Sequence, residues 1–355
     1  MKILIVKLSS LGDVLHTLPA VHDITTALPN AQVDWVVERS FAGVVQRCQG
    51  VNNAITCEFR TWRKSPFSSD TKNAWRTFKA ELQKNNYDAV IDLQGLTKSA
   101  AVSWLAKLAP RGKRFAMANR TEGSSYEAPT RWVADVAIRL QPRIHAVQRA
   151  RDICAKALDY KIDELTQKKP IFKLVAGVFV DSFAMNNIAK SIENTIENSI
   201  TNSIIFAHGS SRENKLWPVE NWIELGRRLN AQGLGVALAH GSDEEEQRSK
   251  SIADQLPNSQ VLSRLDLDAL LNVLGSSAGV VGVDSGLSHM AVALDLPHVQ
   301  IYNFDTAWRT GPLALDDPAP KVKQLSVFAQ PTPSVEAVWQ AWLVVSSQVV
   351  YMSKT

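Results

Sequence analysis

Short apolar runs alternate with helical patterns along the whole chain. In the first half the runs fall at 3–6, 33–37, 53–57, 88–93 and 113–117. Between them apolar residues recur at helical spacing, as over 75–82 and 99–108. In the second half the runs fall at 204–207, 234–239, 260–262, 279–283 and 298–302, with helices starting near Pro218, Asp243, Asp266 and Gly286. Continuous apolar runs separated by helices read as parallel strands covered on both faces. The pattern predicts two β-α-β series, hence an α/β protein with two doubly wound parallel sheets. Pro218 suits a first helical turn and Asp266 suits a cap. The last segment, 335–350, reads as a helix with one apolar face.

Length agrees with two bodies, since 355 residues exceed one compact core. The boundaries predicted are 1–170 and 203–330 for the domains, 171–202 for a linker and 331–355 for a C-terminal helix. Apolar content of 45% and charged content of 21% are those of an ordinary globular protein. No apolar run approaches the roughly 18 residues of a membrane span. Lys2 is followed by only four apolar residues before Lys7, too few for a signal peptide, so the cytoplasm is the expected compartment. Cys48, Cys57 and Cys154 lack metal-ligand spacing and cannot all pair; they read as reduced thiols.

Net charge is +4, but unevenly placed: residues 1–165 hold 24 Lys and Arg against 16 Asp and Glu, and the remainder 15 against 19. A basic first half suggests an anionic partner, although scattered solvated lysines would produce the same count. In the middle, Ile188, Ile192, Ile196, Ile200 and Ile204 recur every four residues in surroundings rich in Asn and Ser. Residues 176–202 read as a surface insertion, either a partner-binding helix or an expanded low-complexity repeat.

Three segments carry candidate chemistry. Lys7 to Pro19, KLSSLGDVLHTLP, directly follows the first apolar run and presents a turn with Gly12 and Asp13. An acid at a strand's carboxyl end lies where open α/β sheets place chemistry, and equally where a helix wants a cap. HGSSRENKLWP, from His208 to Pro218, and VDSGLSH, from Val283 to His289, each follow a strand-like run in the second half.

Together these segments resemble the ADP-heptose:lipopolysaccharide heptosyltransferases, glycosyltransferase family 9, over nearly the whole chain. The K-x-S-S-x-G-D-V-x-H start is most similar to the heptosyltransferase I branch. The resemblance implies a GT-B fold, two Rossmann-like domains facing a central cleft, with the final helix crossing back onto the first. It implies an inverting glycosyltransferase moving heptose from ADP-heptose to the Kdo of Kdo-lipid A.

Such chemistry needs a base for the acceptor hydroxyl, and Asp13 is the candidate. Gly12 beside it could serve a positive φ or close substrate approach. Ser9 and Ser10 could bond substrate or cap the helix. The leaving diphosphate needs donors. The one Asp-x-Asp triplet, Asp266-Leu267-Asp268, reads better as a cap than as a metal site, so the reaction is expected to need no metal or other cofactor. Positive charge would come from Lys215 and from helix N-termini. By the resemblance, Lys215 contacts phosphate and donor sugar and shares the catalytic role; Ser210, Ser211 and Ser285 contact phosphates, with Gly286 at the turn. Asp284 and His289 bind donor sugar and phosphate, Glu245 the ribose, and Leu265 the adenine. Taken singly, Lys215 could be a solvated loop lysine, His289 a structural histidine, and Glu244 to Glu246 acids placed for the helix dipole.

For an acceptor bearing carboxylates and phosphates, Arg60, Arg63, Lys64, Lys98 and Arg120 are the candidates. The chain departs from the family at Asn303-Phe304-Asp305-Thr306-Ala307, where a G-P-T-D-P-like loop is usual. The partners implied are ADP-heptose, Kdo-lipid A and peripheral contact with the cytoplasmic face of the inner membrane, without nucleic acid, for a monomer. A sister enzyme adding the second heptose is the alternative within the family. A nicotinamide oxidoreductase would want G-x-G-x-x-G after a strand, and none occurs. A two-lobed binding protein would be exported, which the start of the chain does not suggest.

Overall fold

The structure is a computed structural model and describes residues 1–163, 169–177, 200–313 and 322–347. The chain divides into two compact units, Met1–Leu174 and Val175–Thr355.

The first unit holds six strands: β1 (Lys2–Val6), β2 (Gln32–Glu38), β3 (Val51–Cys57), β4 (Tyr87–Asp92), β5 (Leu108–Met117) and β6 (Val136–Ile138). They form one parallel sheet in the order β3-β2-β1-β4-β5-β6. The central strand β1 pairs on both sides, Ile3 opposite Val33 and Ala89, and Ile3 to Val6 are fully buried. Covering helices on both faces explain why the central strand is apolar at each position from Ile3 to Val6.

The second unit repeats the plan with β7 (Ser203–Ala207), β8 (Gly235–Leu238), β9 (Ser259–Val261), β10 (Gly279–Val283), β11 (His298–Tyr302) and β12 (Gln324–Phe328). The order is β12-β11-β10-β7-β8-β9, again all parallel. These are two doubly wound units of the GT-B plan. Each sheet reverses its winding beside its first strand, between β1 and β4 and between β7 and β10. Such a switch point opens a crevice at the strands' carboxyl ends, where ligands bind in open α/β sheets.

Several expectations need correction. The helix read over 99–108 is Thr97–Leu105; Ala106 is extended, and β5 starts at Leu108, five residues before the apolar run that betrays it. Strands β6 and β12 were not foreseen, being a three-residue piece and a half-exposed edge strand. The helix Ala146–Leu158 was not foreseen; its buried face combines Ala146, Val147, Ala150, Ile153 and Cys154 with Arg149 and Arg151. Arg151 is fully buried against Asp23, Nε to Oδ2 2.6 Å, and no apolar period betrays such a pair. Gly12 lies inside the helix Leu11–Leu15 and is not among the positive-φ glycines, so a left-handed turn is not its reason.

The final helix is described over Val335–Ser346 and is capped by Ser334, whose Oγ accepts the Ala337 N–H at 3.2 Å. Its buried face, Val338, Trp342 and Val345, joins Trp217, Trp222 and Leu225 in the core of the second unit. This apolar stripe lies against the sheet of the second unit. Most of the Ile-rich insertion, including Ile188, Ile192 and Ile196, falls outside the described residues; Ile200 and Ile204 are both fully buried, the latter inside β7. Cys48, Cys57 and Cys154 are buried free thiols.

Candidate functional site

In the second unit the loops after β7 and β10 meet at the switch point. Lys215 ends the short 3₁₀ turn Glu213–Lys215 and places Nζ 2.5 Å from Asp284 Oδ2. Asp284 lies just beyond β10 and is 7% exposed. Its other oxygen, Oδ1, stands 3.3 Å from His289 Nε2. Asp284 and His289 meet because the strand tip and the second turn of the helix Gly286–Ala293 lie on one side of a tight turn. Burial pushes the Asp284 carboxyl up, but His289 and Lys215 outweigh it and hold the group well below the usual carboxylate range.

Ser285 caps the same helix, its Oγ accepting the Ser288 N–H at 3.5 Å. The N–H groups of Gly286 and Leu287 have no intrahelical acceptor by position, which makes this turn a fit cradle for an anion. The Ser210 hydroxyl donates to the Asp284 carbonyl at 3.4 Å, while Ser211 is exposed.

Beside these residues is a cavity of about 170 Å³. Leu265, Leu270 and Leu287 form an apolar wall, and Glu245 with Gly209 and Gly241 forms a polar one. Of the four acids that open the helix Asp243–Ala253, Glu245 is the one that lines the cavity; Asp243 and Glu244 are exposed and Glu246 pairs with Lys250 at 2.7 Å. Glu245 Oε2 accepts the Gly241 N–H at 2.7 Å. A Cβ on Gly209 would stand 2.2 Å from Glu245 Oε1, so glycine is what lets the carboxylate lie there. Asp266 caps its helix as expected, accepting the Ala269 N–H at 2.9 Å.

In the first unit Asp13 closes the start of its helix and also faces two cations. As the third residue of its short helix, its Oδ2 accepts from the Ser10 N–H at 3.3 Å and the Ser10 hydroxyl at 3.1 Å. Its Oδ1 also faces Lys7 Nζ at 3.4 Å and Arg149 Nη2 at 3.6 Å. Both cations are more than nine-tenths buried, while the Asp13 side chain is 37% exposed. Burial raises the Asp13 carboxyl, but the two cations and Ser10 overcome it and hold it below the ordinary value. Burial also lowers the Lys7 ammonium further than Asp13 raises it.

Gln94, after β4, braces this loop: its Oε1 accepts the N–H groups of Leu8 and Ser9, both at 3.0 Å. Asp92 is buried below, accepting from the Gln94 and Gly95 N–H groups and the Ser99 hydroxyl; burial lifts its carboxyl to about 6.

A larger cavity of about 840 Å³ opens on the same unit. Its apolar wall is Phe59, Trp62 and Trp75, with ring centroids 5.1 to 6.3 Å apart. Arg60, Arg63, Lys72 and Lys98 line it against one acid, Glu127. Of the five predicted acceptor residues, the structure therefore brings three to one cavity. Lys64 is exposed outside its lining, and Arg120 turns its Nε to the Ser124 carbonyl of its own loop at 3.3 Å.

Sequence reasoning missed Lys7, Arg149, Gln94 and Glu38. Lys7 reads as a strand terminus, and Arg149 lies 136 residues from Asp13 in the chain, so only folding joins them. Glu38 closes the buried strand β2; burial raises its carboxyl against the pull of Lys98 and Arg60, and its Oε1 has no partner. Among the described residues no cluster of three or more His, Cys, Asp or Glu side chains is arranged to hold a metal ion.

Comparison with known proteins follows the same lines. The family model described as glycosyltransferase family 9 (heptosyltransferase) matches residues 75–336. Lipopolysaccharide heptosyltransferase 1 of Escherichia coli K12 is 36% identical over 303 residues, covering 85% of this chain and 88% of that one. The protein of the same name from Pseudomonas aeruginosa is 34% identical over 311 residues, covering 85% and 78%. The solved structure of E. coli heptosyltransferase WaaC with ADP superposes with a TM-score of 0.77 at 32% identity, over 96% of this chain and 98% of the other.

Proposed function

Because the chain belongs to glycosyltransferase family 9, we propose that it is a heptosyltransferase of lipopolysaccharide inner-core synthesis, taking its sugar from ADP-heptose and adding it to the Kdo of a Kdo-lipid A acceptor. The observation that carries the reading is the Lys215–Asp284–His289 cluster beside a cavity with one carboxylate and an apolar wall. That cavity suits a flat apolar ring with a hydroxylated sugar at its edge, as in an adenosine. Lys215 and the N-terminal turn at Ser285 and Gly286 suit the diphosphate.

The reaction assigned is a single displacement with inversion. The acceptor hydroxyl oxygen bonds to the anomeric carbon while the bond from that carbon to the phosphate oxygen breaks. Its proton passes to the Asp13 carboxylate, and ADP leaves with the bonding pair. Asp13 lies at one switch point and the donor cluster at the other, each at the carboxyl ends of its own sheet. The four cations of the larger cavity support an acidic acceptor on the first unit. Its aromatic wall supports the lipid portion and peripheral attachment to the cytoplasmic face of a membrane. Among the described residues no helix is long and apolar enough to cross one. The relatives from E. coli K12 and P. aeruginosa, at 36% and 34% identity, are both named heptosyltransferase 1, which favours transfer of the first heptose over the second.

The direct test is incubation with ADP-heptose and Kdo-lipid A, reading one heptose mass increment on the acceptor by mass spectrometry. The increment should persist in EDTA, since Lys215 and the helix turn supply the leaving group's counter-charge. Loss on chelation, with recovery on adding Mg²⁺ or Mn²⁺, would reject that part of the mechanism; no increment under any condition would reject the acceptor or donor.

The adenosine assignment has its own test. Gly209→Val should displace the flexible Glu245 carboxylate from the cavity wall while leaving the fold intact. ADP affinity by calorimetry should fall by about tenfold, the scale of one lost hydrogen bond to a charged group. Unchanged ADP affinity would remove Glu245 from the ribose.

A further inference from the structure

Asn303 follows β11, at the place where the chain departs from the usual family loop. It is 9% exposed. Its Nδ2 donates to two backbone carbonyls, Asn214 O at 3.1 Å and Leu216 O at 2.9 Å. Its Oδ1 accepts from the Thr332 hydroxyl at 2.8 Å. Both amide hydrogens and the carbonyl are thus used, and the three bonds settle which way the amide points.

The two carbonyls flank Lys215. The backbone of the turn is held there by Asn303, while the ammonium at the far end of the side chain is held by Asp284. Asp284 and Asn303 sit at the ends of the paired strands β10 and β11. Lys215 is therefore tied at its root and at its head to neighbouring strands of one sheet. A residue without a side-chain amide at 303 could not make the first of these ties. The turn's own bonds, Lys215 N–H to Arg212 O at 3.1 Å and Leu216 N–H to Glu213 O at 2.9 Å, close only three-residue loops. Such turns fray readily unless something else holds them.

We propose that Asn303 is a positioning residue for Lys215, holding the 213–216 turn so that the lysine meets the diphosphate of the donor in one place. This rests on the reading of Lys215 as the donor's phosphate contact. Glycine or proline at 303 would leave the turn to other supports, so the clamp belongs to this chain's version of the loop rather than to the family pattern.

The experiment has two readouts on the full-length protein. The first is amide hydrogen exchange at Lys215 and Leu216. Asn303→Ala should speed it at least about tenfold, as expected when a local hydrogen-bonded turn loses a supporting bond. Asn303→Asp should do the same, because a carboxylate has no hydrogen to donate to the two carbonyls. Unchanged exchange in both variants would overturn the clamp whether or not the protein binds a nucleotide.

The second readout is ADP affinity by calorimetry. Asn303→Ala should weaken ADP by about tenfold in the native background and by less than about twofold in Lys215→Ala, the non-additivity of residues that act through each other. A full loss in both backgrounds would overturn the action through Lys215. Failure of the unaltered protein to bind ADP would instead reject the donor assignment, with the exchange result still deciding the clamp.

Discussion

Replacing Asp13 with Asn should lower kcat by a factor of about 10² to 10⁴, the usual range for loss of a general base. Asparagine keeps the size of the side chain and can still accept a bond from the Ser10 N–H, so the short helix should remain. What is lost is the negative charge between Lys7 and Arg149, at 3.4 and 3.6 Å. ADP affinity should stay within about twofold, since no donor contact on the second unit is touched. Thermal stability should fall too, because two buried cations lose their counter-charge; comparison at a temperature where both proteins are folded separates the effects. A folded Asp13→Asn protein with near-native turnover would end the assignment of Asp13 as base.

The same cations determine the pH profile. Lys7 and Arg149 hold the Asp13 carboxyl below its ordinary value of about 3.9. In the free enzyme the base is therefore ionised throughout the neutral range, and the acid limb of kcat/KM should lie below pH 4 or so. Arg149→Gln removes one of the two charges, so the limb should move upward in pH. A limb that stays in place would show that Arg149 does not govern the base.

Lys215→Ala should raise the donor constant by about ten- to a hundredfold, the scale of one or two charge-assisted hydrogen bonds. The acceptor constant should hardly move. Lys215 is the closest partner of Asp284, at 2.5 Å, so the substitution also unbalances that carboxylate. With only His289 left to oppose burial, the Asp284 carboxyl should rise from its depressed position. A depressed carboxyl contributes stability above its unfolded pKa, and that contribution is lost as pH falls through the folded value. The variant should therefore lose stability at neutral pH and differ less from the native protein in strong acid. A rise confined to the acceptor constant would place Lys215 on the wrong substrate.

These expectations show which residues a chain can announce. Asp13 and Asp284 were legible as candidates because each stands in the turn after an apolar strand, and a strand's carboxyl end is a predictable address; Lys215 and His289 were named only through the resemblance. Asp266 was legible as a cap for the same local reason, and its bond to the Ala269 N–H is in place. Arg149 was not, since nothing local marks an arginine on a helix as the one that is buried and faces a carboxylate 136 residues away. Asn303 was visible only as a departure from a pattern; its use, bracketing Lys215 from 87 and 89 residues away, depends on which strands are neighbours.

By itself, then, the sequence determined what local period and local spacing can carry: two series of buried strands and helices, the turns at their carboxyl ends, and the side chains standing in those turns. Tertiary structure decided what depends on pairing order. The sheet order put β4 beside β1 and β10 beside β7, and so created the two switch points. It also brought Lys7 and Arg149 to one carboxylate and laid the last helix on the second sheet. Charge and hydrogen bonding act through space over a few ångströms, and no period along a chain records which distant residues will come that close.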